Sequence, residues 1–500
     1  MKKLRLLLLA VIILMIGGTL MVKYNNNINV LDPPGELSPL INDGKTDNSI
    51  LLLKILEYVE GGSKEATIYF PNEGSYFFDK QIYIDMEDIS ITLAGSNTKI
   101  NVKKANSYKN LFYIVNIDNF NVQGINLDTP NVSSGTYGNR GYIEVENANK
   151  ITLNDVALDN ANCGLKINFK NTDKVSEQNT VKHLITDNVS GNNVKCFMHI
   201  CNIEQWEAEN LKVKVTNEDL SNVPNVCFYL RPRSNNITIN NLQVDNCPGD
   251  VFHFNRYDYT TVGAYPPMGT DGFEDNNIKV TKVVAKNIGQ LVGFNSETND
   301  ITFKDVNIQN QKYGERGVIN AFEGKCNKLT INNFIFKDIN KVLDLEKNNK
   351  GINSISLKDG TITGAFKGSQ GTYGGVKNLN IENIIYDNTE NPNGNGALAL
   401  MLYGEWDNVN MSNIKFNIGA KFKRNADVIR FGDNFKGTVI AKNITFNRPI
   451  KNKYSLNGFS VYFSDLNPPD PSTLITASDI KAINLDNIYY GDPKYFNYIK

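Results

Sequence analysis

Short runs of alternating apolar and polar residues recur along almost the whole chain. ITLNDVAL from Ile151, WEAENLKV from Trp206, ITINNLQV from Ile237, ITFKDVNI from Ile301, LTINNFIF from Leu329, ISLKDGTI from Ile355, LNIENIIY from Leu379, VNMSNIKF from Val409 and VIAKNITF from Val439 fall in register. Each reads apolar-x-apolar-x-polar-apolar-x-apolar, commonly with Asn or Asp in fifth place. Strict alternation marks a strand with one buried face. The polar fifth residue shifts the phase and so breaks one short strand from the next. The copies return mostly at about 23 to 31 residues, a solenoid period. Between them lie shorter apolar strands: CGLKINF, CFMHIC, VCFYLR, DVFHFN, LVGFN, KVLDLE, LALML, DVIRF and FSVYF. One such coil cannot bury its own inner face, whereas stacked coils pair every strand with those above and below and bury a continuous apolar column. The pattern predicts an all-β chain, a single-stranded right-handed parallel β-helix with about three short strands per coil. A leucine-rich repeat would need its fixed Leu and Asn consensus, and a propeller longer and more regular blades.

Asparagine makes up about 15% of the chain, well above ordinary usage. It suits corners, because its side chain bonds nearby backbone and tolerates left-handed dihedrals, and stacked copies can bond one another in ladders. The net charge of −1 and the lack of a basic stripe argue against nucleic acid as a partner. Lys2, Lys3 and Arg5 precede an apolar run from Leu6 to Val22, which reads as a signal peptide or an uncleaved signal-anchor. Residues 1–30 are therefore assigned to targeting and a short linker, and 31–500 to one β-helix domain. The expected location is secreted or the outer face of the cell membrane, with membrane contact only through that first segment. Of the six cysteines, most sit in apolar strand patterns and read as buried free thiols. NPPDPS at Asn467 to Ser472 reads as a loop within the last coils.

Residues 42–84 carry a separate signal. NDGKTDNS is followed by the helical run ILLLKILEYVEGG and then by ATIYFPNEGSYFFDKQIYI. Asp47 or Asn48 can cap the helix start, and Gly61 and Gly62 can end it. The order and spacing of Asp43, Gly44, Thr46, Asp47, Tyr69, Phe70, Pro71, Gly74 and Tyr76 resemble the N-terminal signature of the pectate-lyase-like superfamily. The resemblance implies a short α-helix (within a cap of about residues 40–84) closing the N-terminal end of the β-helix, and a protein that acts on or binds polysaccharide. It implies nothing about chemistry, since hydrolases, lyases, epimerases and tailspikes share the signature; Asp43 and Asp47 read as structural.

A site is expected where successive coils raise polar side chains in line. Alternation places Leu165 and Ile167, Met198 and Ile200, Phe228 and Leu230, and Phe252 and Phe254 inward. Glu144 and Glu146, Lys166, His199, Tyr229 and Arg231, and His253 then point outward, followed by Asn320 and Asp344. Two of the three histidines fall in this row. Arg233 and Arg256 extend the cluster. Residues 256–277 form the longest insertion, and Tyr257, Tyr259 and Tyr265 in it suit stacking on sugar rings. Its acids, Asp258, Asp271, Glu274 and Asp275, could hold Ca²⁺, although no fixed ligand spacing supports this. The residue types favour β-elimination from an acidic polysaccharide. His199, His253 or Lys166 would serve as base, Arg231 as the carboxylate clamp and Tyr229 as the acid. Arg233, Arg256, the insertion tyrosines and Glu144 would bind substrate. Glycoside hydrolysis on a carboxylate pair, or glycan binding without catalysis, are the alternatives.

Overall fold

The computed structural model describes residues 26–72, 74–102, 110–129, 141–167, 180–215, 226–231, 233–254, 277–294, 298–312, 317–321, 326–345, 352–364, 371–373, 376–389, 397–419, 425–451, 453–461 and 469–498. The described strands pair in parallel, each with the corresponding strand one coil on, and form one continuous sheet system. One helix, Ser49–Glu60, stands near the N-terminus. The chain is a parallel β-helix, as the periodicity predicts. The apolar run expected to serve targeting lies outside the described residues, whereas Ile28 and Val30, expected in a linker, already belong to the β-helix core; among the described residues, no helix is long and apolar enough to cross a membrane.

The fifth place of the repeat is a bend inside a long strand. In all nine aligned copies that residue has a left-handed backbone: Asp155, Asn210, Asn241, Asp305, Asn333, Asp359, Asn383, Asn413 and Asn443, with φ between 53° and 61°. Gly124, Asn188, Lys282 and Asp479 occupy the same place in further copies. A left-handed residue turns the chain without ending the ladder of backbone bonds, so one long strand supplies two faces of the coil. Asn and Asp tolerate this conformation best among side-chain-bearing residues.

The corner side chains also bond from coil to coil, always with the same polarity. The Asn383 amide donates to Asp359 at 2.7 Å, Asn413 to Asn383 at 2.9 Å and Asn443 to Asn413 at 2.9 Å. Elsewhere Asn116 donates to Asp85 and Asn147 to Asn116, and Asn457 to Asp427 and Asn487 to Asn457. Each amide points toward the preceding coil. The N-terminal member of such a run needs only to accept, and in these runs it is an aspartate, which has no donor to leave unpaired.

The interior is a single column of apolar side chains running from Ile28 to Phe496. The helix adds Leu52, Ile55, Leu56 and Val59 to it. Asn48 stands at the N-cap but does not cap with its side chain; it is buried and bolts Ile41 to the strand at Phe77. Asp47, one residue earlier, accepts the Ser49 N–H at 2.9 Å and the Asp79 N–H at 3.1 Å. Asp43 accepts the N–H groups of Lys45 and Thr46. Both acids are thus occupied in holding backbone. Gly74 lies so close to the Asn42 carbonyl that any side chain would strike it.

Candidate functional site

The shorter strands between the bent ones form the third face, and they place the expected row as alternation predicts. Leu165, Ile167, Met198, Ile200, Phe228, Leu230, Phe252 and Phe254 all join the central column. The outward residues follow one another from coil to coil: Tyr83, Tyr113, Glu144, Lys166, His199, Tyr229, His253, Gly293, Asn320 and Asp344. Neighbouring strands lie about 4.8 Å apart.

Alternation fails at the start of each strand. Phe197, Cys227, Val251, Leu291 and Val428, in second place, belong to the central column together with the third-place residues. First-place residues instead lie beside the fourth, on the outer face. Cys163, Cys196, Val226 and Tyr229 make a separate apolar cluster there, and Asp250 sits beside His253. The chain is still leaving its corner at the first residue, so the two-residue period begins only afterwards.

The row is outward but not solvated. Glu144 is 1% exposed, Lys166 1%, His199 6%, Tyr229 8% and Arg231 0%. Half of the sequence expectation needs correction on this point: these groups face away from the core, yet they are buried. The Lys166 stem lies over Gly141, where a side chain would crowd its Cε. Asn110 donates to the Glu144 carboxylate. The Tyr229 ring lies between two imidazoles, 4.6 Å from His199 and 5.2 Å from His253 between centroids. Burial holds the His199 imidazole well below its usual pKa, and the nearby Arg231 and Lys166 charges push the same way, so it is neutral at pH 7. Cys196 is held in the thiol form by its contact with Cys163 and by burial.

Two features were not foreseen. The first is the pairing of His253 Nδ1 with the Asp250 carboxylate, both largely buried. A carboxylate on one imidazole nitrogen fixes the tautomer and orientation of the ring. Gly293, next in the row, has no side chain, and one there would strike the Asp250 carboxylate. The offset of three residues recurs at Asp427 and Arg430, where guanidinium nitrogens lie 2.6 and 2.8 Å from the carboxylate, and it is a signal the sequence contains.

The second is the state of Arg231. Its backbone is bound, donating to Ile200 and accepting from Ser234. Its side chain is wholly buried, and Nε, Nη1 and Nη2 make no hydrogen bond. Among the described residues no carboxylate pairs with it. Arg233 stands on the turn just beyond, partly buried, with φ of 60°. Arg256, Tyr257, Tyr259, Tyr265 and the acids of the insertion lie outside the described residues. Among the described residues no group of three or more His, Cys, Asp or Glu side chains could hold a metal. A separate open polar groove of about 500 Å³, lined by Gly95, Asn97, Gln123, Asp155, Asn188 and Ser190 among others, contains none of the row.

No protein-family model matches the chain, and comparison with curated proteins finds no match. Among solved structures, the catalytic unit of a GH87 α-1,3-glucanase from Streptomyces thermodiastaticus aligns at 11% identity and a TM-score of 0.34, over 94% of this chain and 70% of that one. The Dettilon tailspike protein aligns at 11% identity and 0.27, over 82% and 67%. The Streptococcus pneumoniae surface protein and adhesin PfbA aligns at 11% identity and 0.20, over 92% and 98%. At these scores the likenesses bear on neither chemistry nor ligand.

Proposed function

We propose that this chain binds an anionic polysaccharide along the row from Glu144 to His253 and cleaves it by β-elimination. The observation that carries the reading is the Arg231 side chain. An uncompensated charge in a protein interior costs several kcal/mol, and such groups normally have a partner. A guanidinium with every donor unused matches a carboxylate, which it can grip through two parallel bonds; because Arg231 is wholly buried, the groups over it must move aside as the ligand enters. The Arg231 and Lys166 charges are both felt at His199.

The remaining groups suit the chemistry. A sugar carboxylate neutralised by Arg231 and Lys166 makes the adjacent ring proton more acidic. His253, oriented by Asp250, is the type of group that removes it, and the Tyr229 hydroxyl is the type of group that protonates the departing oxygen. Neutral His199 is the second candidate base. A carboxylate bound to Arg231 would offset the positive field that depresses its basicity. The carboxylate pairs that hydrolysis would use are Asp250 with Asp258 and Glu144 with Glu146. Asp258 lies outside the described residues, and Glu144 and Glu146 already accept bonds from Asn110 and Tyr113, so elimination is the reading favoured here.

The test is to incubate the protein with a panel of uronate polymers and follow ultraviolet absorbance of the unsaturated uronate. The expected result is turnover that R231M abolishes and H253Q lowers at least about 100-fold, the usual scale for an acid–base group. Reducing ends released without that absorbance would make the protein a hydrolase. Binding without either product would make it a glycan-binding protein.

A further inference from the structure

The row does not stop at Glu144. Two coils earlier it continues as Tyr113 and Tyr83, whose strand neighbours Phe112, Ile114, Ile82 and Ile84 are all buried in the column. Tyr83 is 49% exposed and Tyr113 half-buried, unlike the buried residues from Glu144 to Tyr229. The two rings stand 5.6 Å apart, tilted at 55°. Their hydroxyls are anchored: Tyr83 donates to Asp85 at 3.1 Å, and Tyr113 donates to Glu146. Asp85 is itself held by Asn116, and Asn116 by Asn147. The platform is therefore fixed before anything binds, which lowers the entropy cost of using it. The apolar ring face with a polar edge suits a pyranose ring, which has an apolar face of C–H groups and a rim of hydroxyls.

The electrostatics of this end differ from those at Arg231. Among the described residues, the side-chain charges that reach the two phenols are acidic: Asp85, Glu144 and Glu146. Carboxylates accept bonds from sugar hydroxyls but repel a uronate. Cations dominate around His199, and acids dominate around Tyr83.

We infer that Tyr83 and Tyr113 form a subsite for an uncharged sugar ring, so that the polysaccharide taken by this row carries both uronate and uncharged sugars. The inference rests on the anionic reading of Arg231 for the uronate end. Five coils separate the places of Tyr83 and Tyr229, about 24 Å, so a disaccharide held at Arg231 cannot reach the platform.

The test uses the full chain and four probes: octasaccharides of hyaluronan, of polygalacturonate and of maltose units, and the hyaluronan disaccharide. Affinity is read by calorimetry. Nitration of Tyr83 by tetranitromethane is read by peptide mass, with the equally exposed Tyr490 as internal control. The expected result is that the hyaluronan octasaccharide protects Tyr83 and binds several-fold tighter than the polygalacturonate octasaccharide. Y83A should remove that preference without altering disaccharide binding, while R231M weakens all three acidic ligands. Unchanged nitration under saturating hyaluronan octasaccharide, or Y83A binding it like wild type, overturns the subsite. Protection by maltooctaose in wild type and R231M alike would keep the platform and remove the anionic reading. Failure of every probe to bind removes both.

Discussion

Arg231 and Arg448 are both buried completely, yet they are treated in opposite ways. Arg448, near the C-terminal end, has its Nη1 3.1 Å from the Asp486 carboxylate, and its Nη2 donates to the Tyr454 carbonyl at 3.1 Å. Asp486 is held further by Lys451 at 2.8 Å and by the Leu456 N–H at 2.8 Å. Arg448 is a cross-brace whose charge is answered within the chain. Arg231 offers the same group to nothing. Burial alone therefore does not separate the two arginines; the state of their donors does.

The difference sets opposite expectations for one substitution. R448M leaves the Tyr454 carbonyl without its donor and takes one of two cations from Asp486, and should cost about 1–3 kcal/mol of stability, read from denaturant midpoints. R231M removes a charge that nothing offsets, and should leave the protein about 1 kcal/mol or more above wild type. Equal losses at the two positions would end the contrast.

The next effect is one of pH. His199 has a depressed folded pKa, first because it is buried, here against the Tyr229 ring, and then because the Arg231 and Lys166 charges act on it. Below the ordinary His value near 6.5 the unfolded chain binds a proton that the folded chain refuses, so stability rises with pH there and levels off above it. The expected slope is about 1.4 kcal/mol per pH unit below pH 6.5. H199N should remove it, and R231M should shorten it by lifting the folded pKa. A wild-type profile flat between pH 5 and 7 would show that His199 keeps its ordinary pKa, and an R231M profile identical to wild type would show that the Arg231 charge does not act on it.

Smaller still is the effect of the ladders, which lie outside the row. N413A breaks the bonds to Asn383 and from Asn443 and should cost about 1–2 kcal/mol. N413D keeps the acceptor and loses the donor, so it should fall between. If N413D matches wild type, the uniform polarity of the ladders has no energetic weight.

Most of the fold was legible because its period is local chemistry. Every aligned fifth place is a left-handed corner, and the residue types there announce it. Lys282 occupies the same corner with no such signal, which is why its copy is hard to see. The facing of Lys166, His199, Tyr229 and His253 was also legible, since one-sided burial fixes register. Their burial was not, because alternation says which face a side chain takes and nothing about what covers that face. The Asp250–His253 pair was hidden for a related reason. An ideal strand puts residues three apart on opposite sides, and only the corner at Asp250 brings them together. The empty hydrogen-bonding capacity of Arg231 is a property of surroundings drawn from several coils, so no local pattern encodes it.

The most direct test of the central claim is the shift in melting temperature produced by a saturating uronate-containing oligosaccharide in wild type and in R231M. A ligand that binds only the folded state stabilises it by RT ln(1 + [L]/Kd). A rise in wild type that R231M abolishes, from a higher starting temperature without ligand, is the predicted result. The same rise in both proteins would contradict the account.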